Sequence, residues 1–161
     1  MISKTKTPKG MVFDLTDSDA EWNELEVCCW SDDQREKLHE ILHASGYVWG
    51  ETPSLPLNIC PLHLGYPDSP SVLRLDKKKR AWSVMYPVCS CVRFDFKEFI
   101  KMCKKPCPEC GGRGEIEEVE VIWIVWDRIK VRVKCRNCGA TSKVKWLKDD
   151  AIKDWNKMSN E

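Results

Sequence analysis

Apolar and polar positions change period along the chain, and each change predicts an element. Residues 22–30 (WNELEVCCW) partly alternate, the pattern of a half-buried strand. Ser31 then stands where a helix N-cap is expected, with Asp32 and Asp33 in the first turn near the positive end of the helix dipole. Leu38, Ile41 and Leu42 follow at helical spacing on one face. Ala44 closes the run, and Gly46 is the cap expected beyond it. Residues 51–70 hold five prolines and read as loop. Short strands are expected at residues 71–75 and 81–86, joined by the charged turn DKKK. Residues 94–102 (FDFKEFIKM) read as a helix with Phe96, Phe99 and Ile100 turned inward.

After Pro106 the pattern becomes β-rich. Residues 119–126 and 129–134 are expected to form a hairpin around Asp127 and Arg128, and residues 141–146 can add a third strand. Asp149 and Asp150 then open a last helix through Met158 that buries Ile152 and Trp155. The fold class expected is α+β, in two parts joined by the basic stretch KMCKKP. Residues 1–101 form a small α+β domain, of which 1–10 are expected to be flexible, and residues 102–161 form a second domain.

Composition narrows the class. The chain has 161 residues, 42% apolar and 32% charged, which is ordinary for a soluble globular protein. Its longest apolar run, residues 121–126, is strand length, so no membrane span is expected. The opening MISKTKTPKG has no apolar centre, so no export signal is expected and the chain reads as cytoplasmic. Ten cysteines in such a compartment point to metal rather than disulfides. A net charge of +1 lacks the basic surplus of a strong, non-specific nucleic-acid binder.

Two CxxC pairs, CPEC at 107–110 and CRNC at 135–138, bracket the hairpin. A CxxC turn brings two thiolates onto one tetrahedral ion, and Gly111 and Gly139 follow each pair where such a knuckle needs positive φ. Twenty-four residues between the pairs let one hairpin leave the metal and return. Cys107, Cys110, Cys135 and Cys138 are therefore expected to hold one zinc ion. Four thiolates fill its shell, so the ion is structural and the module zinc-ribbon-like. A redox role for the pairs is the weaker alternative.

The run C-P-E-C-G-G, then V-K-C-R-N-C-G-A, then D-D-A-I-K-D-W-N-K resembles the Lar family of restriction alleviation proteins. The resemblance covers residues 104–158. It implies a phage- or prophage-encoded protein that blunts host type I restriction, with a host restriction-modification protein as partner and the four cysteines as metal ligands. The part before residue 101 lies outside that pattern. Residues 25–102 resemble, more loosely, small α+β modules of phage early proteins. CPECGGRG also looks like one CxxCxGxG unit of the DnaJ zinc domain, but the second pair lacks the glycines.

Three other features carry candidate chemistry. His39-Glu40-Ile41-Leu42-His43 matches the HExxH of zinc proteases, and Ser83-Val84-Met85-Tyr86-Pro87 resembles a matrixin Met-turn. The third ligand of the metzincin pattern would fall on Trp49, which cannot bind zinc, and Arg35, Glu36 and Lys37 flank the motif with charge. His39 and His43 are therefore expected to be ordinary helix-surface residues. Cys60, His63, Cys89 and Cys91 are a candidate second metal site, against the plainer reading of buried thiols. Cys28, Cys29 and Cys103 read as core or free thiols.

Lys130, Arg132, Lys134 and Arg136 alternate with Ile129, Val131 and Val133 and share one face. Cross-strand pairing with Glu118 and Glu120 is the plain reading, and a strip for phosphate or an acidic partner the functional one. With no convincing catalytic constellation a non-enzyme is expected, and the Lar resemblance implies an anti-restriction protein. The alternatives are a zinc-ribbon nucleic-acid-binding regulator and, more distantly, a metalloprotease.

Overall fold

In the computed structural model of the chain, the residues described are 10–18, 21–51, 53, 70–84, 91–121 and 128–158. They fall into two compact units: Phe13–Met102, and Cys103–Glu161 together with Met1–Val12. The expected first domain began at residue 1. Instead, Val12 exchanges backbone hydrogen bonds with Lys104, at 3.0 and 2.8 Å, which ties Val12 to the second unit.

The unit Phe13–Met102 holds strands β1 (Glu24–Cys29), β2 (Val48–Trp49), β3 (Ser71–Asp76), β4 (Arg80–Val84) and β5 (Val92–Asp95). With them are helices α1 (Asp32–Ala44) and α2 (Phe96–Met102). The five strands form one mixed sheet in the order β2-β4-β3-β1-β5. The β3–β4 hairpin turns where the DKKK stretch predicts. Ser31 caps α1 through its side chain, which accepts from Gln34 N, and Leu38, Ile41 and Leu42 are buried as their spacing requires. The expected helix over residues 94–102 is two elements. β5 pairs parallel with β1, and the helix starts only at Phe96, because Glu26 to Arg93 and Val27 to Phe94 pairing outweighs local helical spacing. Phe96 and Phe99 are buried as expected, and Ile100 is only partly so. Cys28 and Cys29 are buried in this unit, and Cys103 is buried in the other.

A charged row runs across β3, β1 and β5, where Arg74, Glu26 and Arg93 are paired neighbours. Glu26 is wholly buried and is clamped by Arg74 Nη2 at 3.0 Å and Arg93 Nη2 at 2.7 Å, from the strands on either side. Burial opposes ionisation of Glu26, but hydrogen bonds from Arg93 and Arg74 outweigh it and hold its carboxyl below the usual carboxylate range.

The second unit is a two-stranded antiparallel hairpin, β6 (Gly114–Val121) and β7 (Arg128–Cys135), with helix α3 (Lys148–Met158). The fold class is therefore α+β, with a cysteine-bearing hairpin and a terminal helix. The hairpin register differs from the expected one. Pairs run from Gly114↔Cys135 to Val121↔Arg128, so Arg128 lies in a strand and the expected two-residue turn at Asp127-Arg128 does not form. Residues 122–127 lie outside those described. A two-residue turn would have slid β6 by six positions along β7 and carried the first knuckle away from the second. Residues 141–146 form no third strand, only isolated bridges Val131↔Lys145 and Lys134↔Thr141. Val131, Val133, Ala151, Ile152 and Trp155 make the core, and Cys107 and Cys135 belong to the same cluster.

Candidate metal centre

Each knuckle is built by the same backbone pattern. Cys107 N donates to Gly112 O at 2.8 Å, and Gly111 N donates back to Cys107 O at 2.8 Å. In the second knuckle Cys135 N donates to Ala140 O at 2.8 Å, and Gly139 N to Cys135 O at 3.2 Å. Gly111 and Gly139 take φ of 70° and 79°, a region that L side chains rarely enter. The sequence expectation for both glycines is met. Pairing of Gly114 with Cys135 then sets the two knuckles side by side at one end of the hairpin.

The result is a quartet. The sulfurs of Cys107, Cys110, Cys135 and Cys138 all lie within 4.8 Å of one another. Cys107 to Cys138 and Cys110 to Cys135 are each 3.5 Å between Sγ atoms. Tetrahedral zinc–thiolate bonds of about 2.3 Å would place sulfurs about 3.8 Å apart, so the cage fits such an ion closely. Cys107 and Cys135 are buried and join the core, while Cys110 and Cys138 are exposed. The quartet can hold a metal ion. Having four protein ligands, it offers no open position for a substrate.

Electrostatics favour a cation here. The backbone N–H of Cys138, foremost, brings the Cys135 thiol down to about 6. Cys138 moves the other way, to about 12: the Ala140 N–H favours its thiolate, but burial and the sulfurs of Cys110, Cys107 and Cys135 oppose a further charge. Four thiolates cannot coexist so close together without a positive ion between them. Among the described residues, this is the one group of three or more candidate ligands that converges.

The remaining candidates fare differently. Cys60, His63 and Cys89 lie outside the described residues. Cys91 is described, and its Sγ sits 3.8 Å from Glu24 Oε2. His43 and Glu40 are exposed on α1, but His39 is not the surface residue expected. It is 7% exposed, because its ring packs edge-on against Trp49 at 5.8 Å, the residue that occupies the third-ligand position of the protease pattern. Met85, Tyr86 and Pro87 of the Met-turn lookalike also lie outside the described residues.

The basic strip is largely neutralised, by different partners from those expected. Arg132 Nε meets Glu117 Oε2 at 2.6 Å, Lys134 Nζ meets Glu117 Oε1 at 3.1 Å, and Arg136 pairs with Glu115. The observed register turns Glu115 and Glu117 toward the strip and Glu118 and Glu120 to the other face. Lys130 instead lies over the Trp146 ring, 4.2 Å from its centre. Sequence reasoning missed Trp146, whose alternation with Lys143 and Lys145 was the available signal. It also missed the buried Glu26, which reads as a surface charge on a strand.

No helix among the described residues is long and apolar enough to cross a membrane. Compared with known proteins, the chain matches no family model, no curated protein and no solved structure.

Proposed function

We propose that the chain is a non-enzymatic interaction protein of phage or prophage origin. In this reading it relieves host type I restriction by contacting the restriction-modification machinery. The quartet holds one structural zinc ion that folds the module presenting the contact surface. One observation carries this reading: the CGG knuckle, the CGA knuckle and the AIKDWN helix assemble into a single unit. Trp155 Nε1 donates to Lys105 O at 2.8 Å, Asn156 Oδ1 accepts from Lys105 N at 2.8 Å, and Asn156 Nδ2 donates to Cys103 O at 2.7 Å. Trp155 and Asn156 thus have folding tasks, and in this reading recognition falls to the exposed surface of the unit. A closed four-thiolate shell and the neutralised basic strip support protein contact over catalysis or phosphate binding.

Phage plating on restricting and non-restricting hosts, with and without the protein, tests this. Plating on the restricting host should rise toward the non-restricting level when the protein is expressed. Equal plating with and without it removes the restriction reading. Direct DNA binding that weakens steeply between low and moderate salt would favour the nucleic-acid alternative.

A further inference from the structure

Strand β6 has β7 on one side and, among the described residues, no strand on the other. On β7, Val131 N and O both bond to Lys145, Val133 O accepts from Ser142 N, and Cys135 N donates to Ala140 O. The peptide groups of these three residues therefore turn away from β6. In an antiparallel pair, two facing residues that exchange no hydrogen bonds aim their peptide groups in opposite directions. Glu118 faces Val131 and Ile116 faces Val133, so the N–H and C=O of Glu118 and Ile116 point outward, and those of Glu120 follow by alternation. No hydrogen bond or ion pair to a described residue engages Ile116, Glu118 or Glu120. The two faces of β6 differ. Glu115 and Glu117 are held by Arg136, Arg132 and Lys134. On the other face Glu118 and Glu120 are exposed without a cation, and Ile116 packs against the core.

We propose that the outer edge of β6 takes a basic, extended segment of a partner protein as an added antiparallel strand. The segment exchanges main-chain hydrogen bonds with Ile116, Glu118 and Glu120. Side chains directly opposite one another share a face, so cations stand against Glu118 and Glu120 and an apolar residue against Ile116. The residue between the two cations lies beside Val119 and is apolar too. Read from its N-terminus, the segment is basic, apolar, basic, any residue, apolar. Charge decides against the other occupants. Nucleic acid brings phosphates to a face whose free groups are carboxylates. A second copy pairing β6 with β6 sets glutamates against glutamates, and like charges facing each other across strands are destabilising. The inference rests on the protein-contact reading above for the class of partner, and not on the identity of the host enzyme.

The test uses the zinc-loaded full chain and a fluorescein-labelled peptide carrying Lys-Val-Lys-Thr-Val, followed by anisotropy. Saturable binding is expected. Methylating the backbone nitrogens of the two peptide lysines, which face β6 in the added strand, should abolish it. Methylating that of the valine between them, which faces away, should leave it. The double reversal Glu118→Lys with Glu120→Lys should weaken the lysine peptide about tenfold or more and gain its glutamate counterpart, with zinc content and circular dichroism showing that the variant is folded. In the wild-type chain, hydrogen exchange at Glu118 and Glu120 should slow when peptide is added. The proposal is overturned by absence of saturable binding, by equal loss from both methylations, by unchanged affinity in the reversal, or by unchanged exchange at those amides. Tighter binding of single-stranded oligothymidine at the same amides would give the edge to nucleic acid and overturn it. So would exchange there that slows with protein concentration alone, which would give it to a second copy. The titration needs no host and the plating assay needs no peptide, so the two readings fail separately.

Discussion

The indole N–H of Trp155 donates to the carbonyl oxygen of Lys105, 2.8 Å away. Trp155 is fully buried on α3, and Lys105 lies two residues before the first metal-site cysteine. One side chain thus fills the core of the unit and fixes the path by which the chain enters its first knuckle. Trp155→Phe keeps most of the ring and leaves that carbonyl unmet. It should cost about 1–3 kcal/mol of stability in the zinc-loaded protein. Chemical denaturation would show this as a lower midpoint, and an unchanged midpoint would mean that the hydrogen bond contributes nothing net.

Removing the metal should unfold the hairpin unit and spare the other. The core of the former is a handful of side chains, two of them cysteines of the quartet, too few for independent stability. Native mass spectrometry should find one zinc per chain, absent in Cys107→Ser. Chelation should erase exchange protection at Val131 and Val133 while leaving it at Leu25 and Val27. Two ions per chain would return the residues at 60, 63, 89 and 91 to consideration.

Glu26 makes the other unit acid-sensitive. Its folded pKa lies below the unfolded value of about 4.3, so the native state binds fewer protons than the unfolded one. The stability it contributes is therefore present above that value and is lost as pH falls through the lower, folded value. Glu26→Gln should flatten this acid limb of the stability curve. At neutral pH it should cost about 2–4 kcal/mol, less than a fully buried pair would, because Arg74 and Arg93 keep partial access to water. Urea denaturation at pH 3 to 7 checks both, and an unchanged acid limb would show that other carboxylates set it.

Gly114 is required by proximity. A Cβ there would stand 2.7 Å from Val133 Cγ1 and 3.0 Å from the Trp155 ring. Gly114→Ala should lower stability by about 1–3 kcal/mol through overpacking and loosen zinc, since Gly114 pairs with Cys135. Competition with a zinc-binding dye reads the second effect, and unaltered affinity would show that the knuckles are independent of the core.

The candidate site was legible because its chemistry is local. A CxxC turn followed by glycine specifies its own knuckle, and Ser31 or Asp149 specifies its own helix start, from residues within one turn of each other. The strip formed by Lys130, Arg132, Lys134 and Arg136 was legible as a strip but not in its partners. Whether Glu117 or Glu118 faces it depends on register, and a shift of one residue exchanges the two faces.

The sequence by itself determined the cysteine quartet able to hold a metal, α1, α3, the β3–β4 hairpin and the α+β class, all encoded in short-range period and capping. Only the tertiary structure decided that residues 92–95 form a strand beside β1, that His39 is buried against Trp49, and that Glu26 is shared by two arginines. Each of these rests on contact between segments distant in the chain. There the free energy of strand pairing and burial outweighs a local preference of a few tenths of a kcal/mol per residue.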